Sequence, residues 1–273
     1  MESVGHFQRI FNRPKSVIAM VHVRPLPGTP FYQGNFNTVM DKALNEAEIY
    51  IKHGIHGLMI ENMHDVPYLN RKAGHEISTS MAVIGYMLKR EFAIPVGIQI
   101  LAGANKQALA AALASGMDFI RAEGFVFGHM ADEGFMQSDA GELLRYRKHI
   151  GAEHIAVFTD IKKKHASHQL TADTDITEHA RAAEFFRSDG LIITAGHTGE
   201  AVDVEELKAV RQQTRLPVLI GSGVTAENLD SYYPYTDAFI VGSYFKMQGK
   251  WQNPVDENRV HLLMERFRFL ENT

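Results

Sequence analysis

Short apolar runs alternate along this chain with longer amphipathic stretches, in which apolar residues recur every three or four positions. Nearly continuous apolar runs are typical of parallel strands, because helices cover both faces of such a sheet. Eight runs predict buried strands, at residues 17–23, 57–61, 96–101, 119–122, 155–160, 191–194, 218–220 and 238–241. The amphipathic stretches predict helices at residues 38–53, 76–90, 106–115, 140–149, 175–187, 204–213 and 256–270.

The junctions between these segments carry residues that end helices. A glycine or a proline stands between a predicted helix and the next strand at Gly54, Pro95, Gly116, Gly190 and Pro217. Eight βα units in succession, with no linker between them, favour a single (β/α)8 TIM barrel as the fold class. We expect one domain over residues 1–273, with 1–15 as an N-terminal extension. An open doubly wound sheet is the alternative.

Composition narrows the class of protein further. The 273 residues include 28 Lys plus Arg against 32 Asp plus Glu, so the net charge is −4 and no basic face for nucleic acid is indicated. Cysteine is absent, which excludes disulfides and thiolate metal sites. No apolar run has the length of a signal peptide core or of a transmembrane helix. We therefore predict a cytoplasmic protein without a transmembrane segment, and leave peripheral membrane association open.

Polar residues cluster at the carboxyl ends of the predicted strands, where TIM barrels hold their active sites. Charges in apolar strands are costly unless they are paired, and these residues carry both signs. The predicted catalytic residues are His22, Glu61, Asn62, Arg121, Glu123, Asp160, Lys164 and His165. Two structural alternatives stand beside this interpretation: Arg121 and Gln99 could form a buried hydrogen-bonded network, and His22 could be a core histidine.

The segment 159–168 concentrates a carboxylate, three consecutive lysines and two histidines in one predicted βα loop. Such groups can tune one another for proton transfer. Lys162 and Lys163 are interpreted as solvated, whereas Asp160, Lys164 and His165 are assigned to chemistry. Lys164 could act as an acid, as an electrostatic clamp or as a Schiff-base former.

Two small turns follow the last two predicted strands. In TIM barrels the loops after strands seven and eight are the usual phosphate site. The first turn leads into Thr225 and Glu227, which are predicted to begin a helix whose free N–H groups would face an anion. Further small residues follow the sixth strand. The predicted phosphate-binding residues are Gly196, Thr198, Gly199, Gly221, Ser222, Gly223, Gly242 and Ser243.

A metal site has less support in the sequence. Five residues have side chains that could bind a divalent cation, namely His22, Glu61, Asp160, His165 and His168. No HExxH motif occurs, and no HxH pair stands on the first strand. We therefore predict no cofactor and no resident metal, with a divalent cation left open.

Several motifs together resemble one known family. They are the HxxPLPG pattern at 22–28, Glu61-Asn62 with Asp65 and Pro67, and the segments 119–121, 160–165 and 221–228. On these residues, which span almost the whole chain, the sequence resembles the BtpA/SgcQ family. The resemblance implies a TIM barrel grouped with the ribulose-phosphate-binding barrels. Members have been associated with photosystem I biogenesis in cyanobacteria and with bacterial sugar-metabolism gene clusters.

Three functions follow from these observations as hypotheses. The first is an enzyme, an isomerase, lyase or hydrolase, that acts by acid/base chemistry on a phosphorylated sugar or nucleotide-like metabolite. The second is a non-catalytic assembly factor for a membrane protein complex, for which Phe245, Trp251, Phe267 and Phe269 are the candidate docking residues. The third is a metal-dependent hydrolase on the same fold. The expected partner is a phosphorylated small molecule, with self-association into a homo-oligomer left open.

Overall fold

The strands of this protein close into a barrel. The computed structural model describes residues 2–196 and 199–273. All pairs of neighbouring barrel strands are parallel, and the first strand pairs with both the second and the last. The strands are β1 (Ser16–His22), β2 (Gly57–Glu61), β3 (Val96–Gln99), β4 (Phe119–Ala122), β5 (Ala156–Ile161), β6 (Gly190–Ile193), β7 (Val218–Ile220) and β8 (Ala238–Val241). The predicted TIM barrel is therefore confirmed, and the open-sheet alternative is wrong.

Helices follow the strands around the outside of the barrel. They are α1 (Glu2–Phe11), α2 (Phe36–Lys52), α3 (His75–Glu91), α4 (Asn105–Ser115), α5 (Ala140–His149), α6 (Ile176–Phe185), α7 (Val204–Gln213), α8 (Leu229–Tyr232) and α9 (Glu257–Glu271). Local chemistry explains several starts, because Asn35, Asp175, Asp203 and Asp256 each accept a hydrogen bond from a backbone N–H of the first turn.

The N-terminal extension forms a helix that the sequence analysis did not predict. The rings of Phe7 and Phe11 in α1 pack 4.8 Å apart and contact the rings of Phe158 and Phe119 inside the barrel. Phe7, Ile10 and Phe11 stand at the spacing of one helical face. This spacing is a signal in the sequence from which the helix could have been predicted. The helix covers the end of the barrel opposite the carboxyl ends of the strands.

Alternation of side chains along each strand builds the barrel interior in layers. One apolar cluster joins Met20, Met59, Phe119, Phe158, Ile192, Leu219 and Ile240 inside the barrel. Residues two positions further along the chain point the same way, towards the carboxyl ends of the strands. The strands and the residues that directly follow them thus contribute to the next layer His22, Glu61, Gln99, Arg121, Asp160, Thr194, Gly221 and Gly242.

A small antiparallel sheet, also unpredicted, is formed by loops that follow β4 and β5. It consists of His129–Ala131, Gly134–Met136 and Ala166–Ser167. Strands of two or three residues are too short for an alternating pattern to stand out in a sequence. The sheet joins the loop after β4 to the loop after β5, and so restrains the segment that carries the three lysines.

His56, in the connection between α2 and β2, makes the stability of the fold depend on pH. Its Nδ1 accepts a hydrogen bond of 2.9 Å from the N–H of Val17, and burial lowers its pKa to about 3. The unfolded chain takes up a proton on this imidazole below about pH 6.5. Folding therefore favours the neutral ring, and folding stability is lost as the pH falls below about 6.5.

We expect His56→Asn, which keeps an acceptor but cannot be protonated, to flatten this pH dependence. Between about pH 7 and about pH 5, the variant should lose on the order of 1–2 kcal/mol less stability than the wild type. Urea unfolding at several pH values measures the difference. Equal pH slopes for the two proteins would contradict the role assigned to His56.

Candidate active site

A cavity of about 200 Å³ opens at the carboxyl ends of the strands. Six of the residues that line it are His22, Glu61, Arg121, Lys164, Gly221 and Gly242. The cavity has a simple cause, because glycines follow β7 and β8 in a layer where the other strands contribute polar side chains. Space is therefore left above β7 and β8, and the polar side chains face it.

The turn after β7 cannot carry larger residues at its glycines. A Cβ atom at Gly221 would lie 3.1 Å from Nη2 of Arg121, so glycine allows the guanidinium to approach the turn. Gly223 has a φ of +66°, and a Cβ atom there would lie 1.8 Å from the carbonyl oxygen of Glu200. The hydroxyl of Ser222 accepts a hydrogen bond of 2.9 Å from the N–H of Ala195. That hydroxyl therefore joins the turn to the loop after β6.

The helix predicted to begin at Thr225 and Glu227 starts later than expected, because residues 226–228 form a turn that precedes it. The α-helix in this region is α8, which has four residues and begins at Leu229. The side chain of Asn228 accepts from the N–H of Thr225, and the Thr225 hydroxyl accepts from the N–H of Asn228. This reciprocal pair has the pattern of a helix N-terminal cap, and the turn at residues 226–228 leads from it into α8. An anion at this turn would thus meet backbone and side chains rather than the end of a long helix.

Arg121 and Asp160 form a two-pronged ion pair inside the barrel mouth. Nε and Nη2 of Arg121 donate to the two carboxylate oxygens of Asp160 at 2.9 and 2.8 Å. Both side chains are buried. Burial by itself lowers the pKa of Arg121, but Asp160 outweighs it and raises the pKa overall. Because both oxygens of Asp160 are engaged, its main effect is to hold the guanidinium in place.

Glu61 and His22 face the cavity from neighbouring strands. Burial raises the pKa of Glu61, against the opposing effects of Lys164 and Arg121. Burial also lowers the pKa of His22 well below its usual range, so this imidazole is neutral. Its Nδ1 lies 3.3 Å from the carbonyl oxygen of Trp251, which can only accept, and Nε2 lies 3.8 Å from Glu61. The lone pair of His22 therefore points towards the carboxyl group.

The three consecutive lysines have three different environments. Nζ of Lys162 donates to the carbonyl oxygen of Thr174 at 2.8 Å. The expectation that Lys163 is solvated is wrong, because Lys163 is buried and its Nζ lies 3.3 Å from Glu123. Lys164 lines the cavity, and burial followed by Arg121 lowers its pKa. Sequence could not separate these residues, since their orientation depends on how the loop is held.

Asn62 and Asp65 lie outside the cavity and connect loops. Asn62 accepts from the N–H of Leu101 at 2.7 Å and donates to Asp65 at 2.9 Å. Asp65 in turn accepts from the N–H of Leu26 within the HxxPLPG pattern. These bonds join the segments that follow β1, β2 and β3. Asn62 thus connects loops and does not line this cavity.

Glu123 lies one layer above Arg121 and is not among the cavity-lining residues. It accepts from Gln99 at 3.1 Å, so the buried network considered for Gln99 is present. Burial by itself raises the pKa of Glu123, whereas Lys163 and Arg121 outweigh it and lower the pKa overall. We interpret this carboxylate as the charge partner of Lys163.

The remaining predicted residues are divided between the cavity and its surroundings. Gly199 and Ser243 line the cavity, together with both glycine turns. Gly196 is exposed and accepts from the N–H of His165, whose side chain is also exposed and does not line the cavity. Thr198 lies outside the described residues.

One positively charged residue that lines the cavity is not among those predicted from the sequence. Arg259, near the start of α9, lines the cavity beside the turn after β8. Its Nε donates to the carbonyl oxygen of Tyr244 at 2.5 Å, and its guanidinium lies over the Tyr244 ring. Nothing in the amphipathic pattern of α9 distinguishes this arginine from the others of that helix. Only the path of the loop after β8 brings it to the mouth.

The candidate metal ligands do not converge. Within residues 2–196 and 199–273, no group of three or more His, Asp or Glu side chains is arranged to hold a metal ion. The proposed docking aromatics also separate: Phe245 and Phe267 are buried, Trp251 is half-buried against His22 and His64, and Phe269 is exposed.

Comparison with known proteins assigns the family. A profile described as the BtpA family matches residues 13–268, nearly the whole chain. The chain belongs to the BtpA family. A mitochondrial protein of Caenorhabditis elegans, itself uncharacterized, is 46% identical over 93% of this chain and 94% of its own length. The photosystem I biogenesis protein BtpA of Synechocystis is 30% identical over 93% of this chain and 88% of its own length.

Solved structures agree on the fold. Phosphoribosyl anthranilate isomerase of Thermus thermophilus superposes with a TM-score of 0.57 at 12% identity, over 93% of this chain and 99% of that one. Orotidine 5'-phosphate decarboxylase of Pyrococcus horikoshii gives 0.59 at 11% identity, over 92% and 99%. No helix in the described part of this chain is long and apolar enough to cross a membrane. Because the worm relative is named mitochondrial, the cytoplasmic location stays a prediction.

The Arg121–Asp160 pair generates a stability prediction. Asp160→Leu leaves a buried guanidinium without its partner and should destabilise the fold by about 3–5 kcal/mol. The double variant Arg121→Met/Asp160→Leu should be more stable than Asp160→Leu alone, because it removes the unpaired charge. Urea unfolding measures both.

The exposed pair Arg266–Asp230 is the matched control. Arg266→Met should change stability by about 0–1 kcal/mol. A double variant that is less stable than the Asp160→Leu variant would contradict a paired burial of the two charges.

Proposed function

We propose that this BtpA-family barrel is an enzyme that carries out proton-transfer chemistry on a small phosphorylated metabolite at the mouth of the barrel. One observation carries the proposal: a single cavity has two glycine turns on one wall and Glu61, Arg121 and Lys164 on the facing wall. The phosphate would sit against the turns after β7 and β8. The reacting carbon atoms would then face the ionisable groups.

The location of the glycine turns supports a phosphate at this wall. Loops after the seventh and eighth strands form the usual phosphate site of TIM barrels. Arg259 adds a guanidinium at the same wall, and arginine suits phosphate oxygens because its donors form a planar fork. Two structurally similar barrels carry phosphorylated compounds in their names, phosphoribosyl anthranilate isomerase and orotidine 5'-phosphate decarboxylase. Because their sequence identity is low, these barrels support only the fold. The proposed phosphate site therefore depends on residues of this chain.

The facing wall supports acid/base chemistry. The pKa of Glu61 is raised by burial and that of Lys164 is lowered by burial, so the two move towards each other. An acid and a base whose pKa values approach the working pH exchange protons efficiently. Arg121, held by Asp160, presents a fixed positive charge where an enolate or an alkoxide would develop.

Cavity size favours a sugar phosphate over a nucleotide. Drug-sized ligands occupy pockets of about 300–1,000 Å³, whereas this cavity holds about 200 Å³. A phosphate with a short carbon chain fits such a volume, and a nucleotide would extend out of it. The assembly-factor hypothesis rests on the name of the Synechocystis relative. Phe245 and Phe267, two of the four candidate docking residues, are buried and therefore do not contribute to an exposed docking surface.

Ligand-induced stabilisation tests the phosphate site. We expect small sugar phosphates to raise the unfolding temperature, and their unphosphorylated parents to have no effect. A ligand at 100 times its Kd adds about 2.7 kcal/mol of stability, which corresponds to a shift of about 5–10 °C for a chain of this size. Differential scanning calorimetry measures the shift.

Arg259→Gln should reduce this shift, because it removes a cation from the phosphate wall. Arg266→Gln, on the same helix and paired with Asp230 at the surface, should leave the shift unchanged. If no phosphorylated compound stabilises the wild type, or if both variants behave alike, the proposed phosphate site is wrong.

A further inference from the structure

We infer that Lys164 forms a covalent imine with a carbonyl carbon of the substrate, which makes the substrate a small aldose or ketose phosphate. This inference rests on the proposed function and narrows it. Three features support it: the position of Lys164 in the cavity, the absence of a carboxylate within ion-pair distance of its Nζ among residues 2–196 and 199–273, and the groups that surround it.

The three lysines of the loop after β5 are held in different ways. Nζ of Lys162 donates to a backbone carbonyl, and Nζ of Lys163 pairs with Glu123. In the part of the chain that the structure describes, no carboxylate oxygen lies within ion-pair distance of Nζ of Lys164. Its backbone N–H donates to the Thr194 hydroxyl at 3.1 Å, which anchors the residue at the mouth. The side chain is therefore restrained at its base and open at its reactive end.

An amine must be uncharged to attack a carbonyl. Lys164 is half-buried in a cavity that also contains Arg121, and both burial and this neighbouring cation disfavour the ammonium form. The fixed Arg121–Asp160 pair keeps the opposing charge of Asp160 engaged elsewhere. Lys163 lacks this property, because its pairing with Glu123 contributes to a raised pKa.

The reaction balances with the residues at hand. The Nζ lone pair of uncharged Lys164 attacks the carbonyl carbon, so a C–N bond forms and the C=O π bond breaks. One proton then moves from Nζ to the oxygen, which becomes a hydroxyl. Glu61, whose raised pKa favours the protonated form, supplies a proton to that hydroxyl, which leaves as water while the C=N bond forms. Glu61 is then a carboxylate and can remove a proton from the adjacent carbon. The iminium nitrogen takes up the electrons that this carbon releases, so no oxidant or reductant is needed.

Trapping with sodium borohydride tests the imine. The full-length protein is incubated with carbonyl phosphates of three to five carbons, among them dihydroxyacetone phosphate, glyceraldehyde 3-phosphate, erythrose 4-phosphate and ribulose 5-phosphate, and is then reduced. We expect intact-mass analysis to show one adduct, and peptide mapping to place it on Lys164. Glycerol 3-phosphate, which has no carbonyl group, should give no adduct.

Two variants at the site and one control separate the outcomes. Lys164→Met and Lys164→Arg should both lose the adduct; the arginine variant keeps the charge and guards against a mere loss of folding. Lys162→Met, in the same loop, should retain the adduct. An adduct spread over exposed lysines, or one that persists in both Lys164 variants, would overturn the inference.

The same samples distinguish this inference from the proposed function. If phosphorylated compounds stabilise the protein against heat but no carbonyl phosphate is trapped on Lys164, the imine is wrong and the phosphate site stands. If no phosphorylated compound stabilises the protein, the proposed function itself fails.

Discussion

Closure of the barrel imposes a strict alternation, since every second side chain of each strand must point inward. That constraint stacks an apolar layer around Phe119 and Phe158 and places a polar layer directly above it. Two of the eight positions in the polar layer are glycines, at Gly221 and Gly242. The cavity is the space that these missing side chains leave, so its position follows from the register of the strands rather than from the loops above them.

Ion pairing then determines which ionisable side chains at the barrel mouth are held by a partner. The mouth gathers three carboxylates, Glu61, Glu123 and Asp160, with three cations, Arg121, Lys163 and Lys164. Buried charges are costly unless they are paired, and two close pairs form, Arg121 with Asp160 and Lys163 with Glu123. Glu61 and Lys164 are left, one acid and one amine, both facing the cavity. Pairing thus divides six ionisable groups into four that hold the mouth and two that line the cavity without a close carboxylate–cation partner among the described residues.

Contacts between loops also hold the mouth of the barrel in place. Asn62 and Asp65 connect the segments after β1, β2 and β3, and the small antiparallel sheet restrains the segment after β5. At the other side, Lys246 is buried against Glu46 of α2 and holds the loop after β8, which brings Arg259 to the cavity. Rigid loops of this kind keep functional groups within reach of a small ligand.

The sequence by itself determined the fold and the strand ends. Continuous apolar runs with Gly and Pro at the junctions define eight βα units, and the polar residues Glu61, Arg121 and Asp160 mark where the strands finish. It could not determine which lysine of 162–164 lines the cavity, that Asn62 connects loops instead of lining it, or that Arg259 reaches it from α9. Strand periodicity depends on neighbouring residues along the chain, whereas these outcomes depend on hydrogen bonds and ion pairs between segments far apart in sequence. Only the tertiary structure brings those partners together.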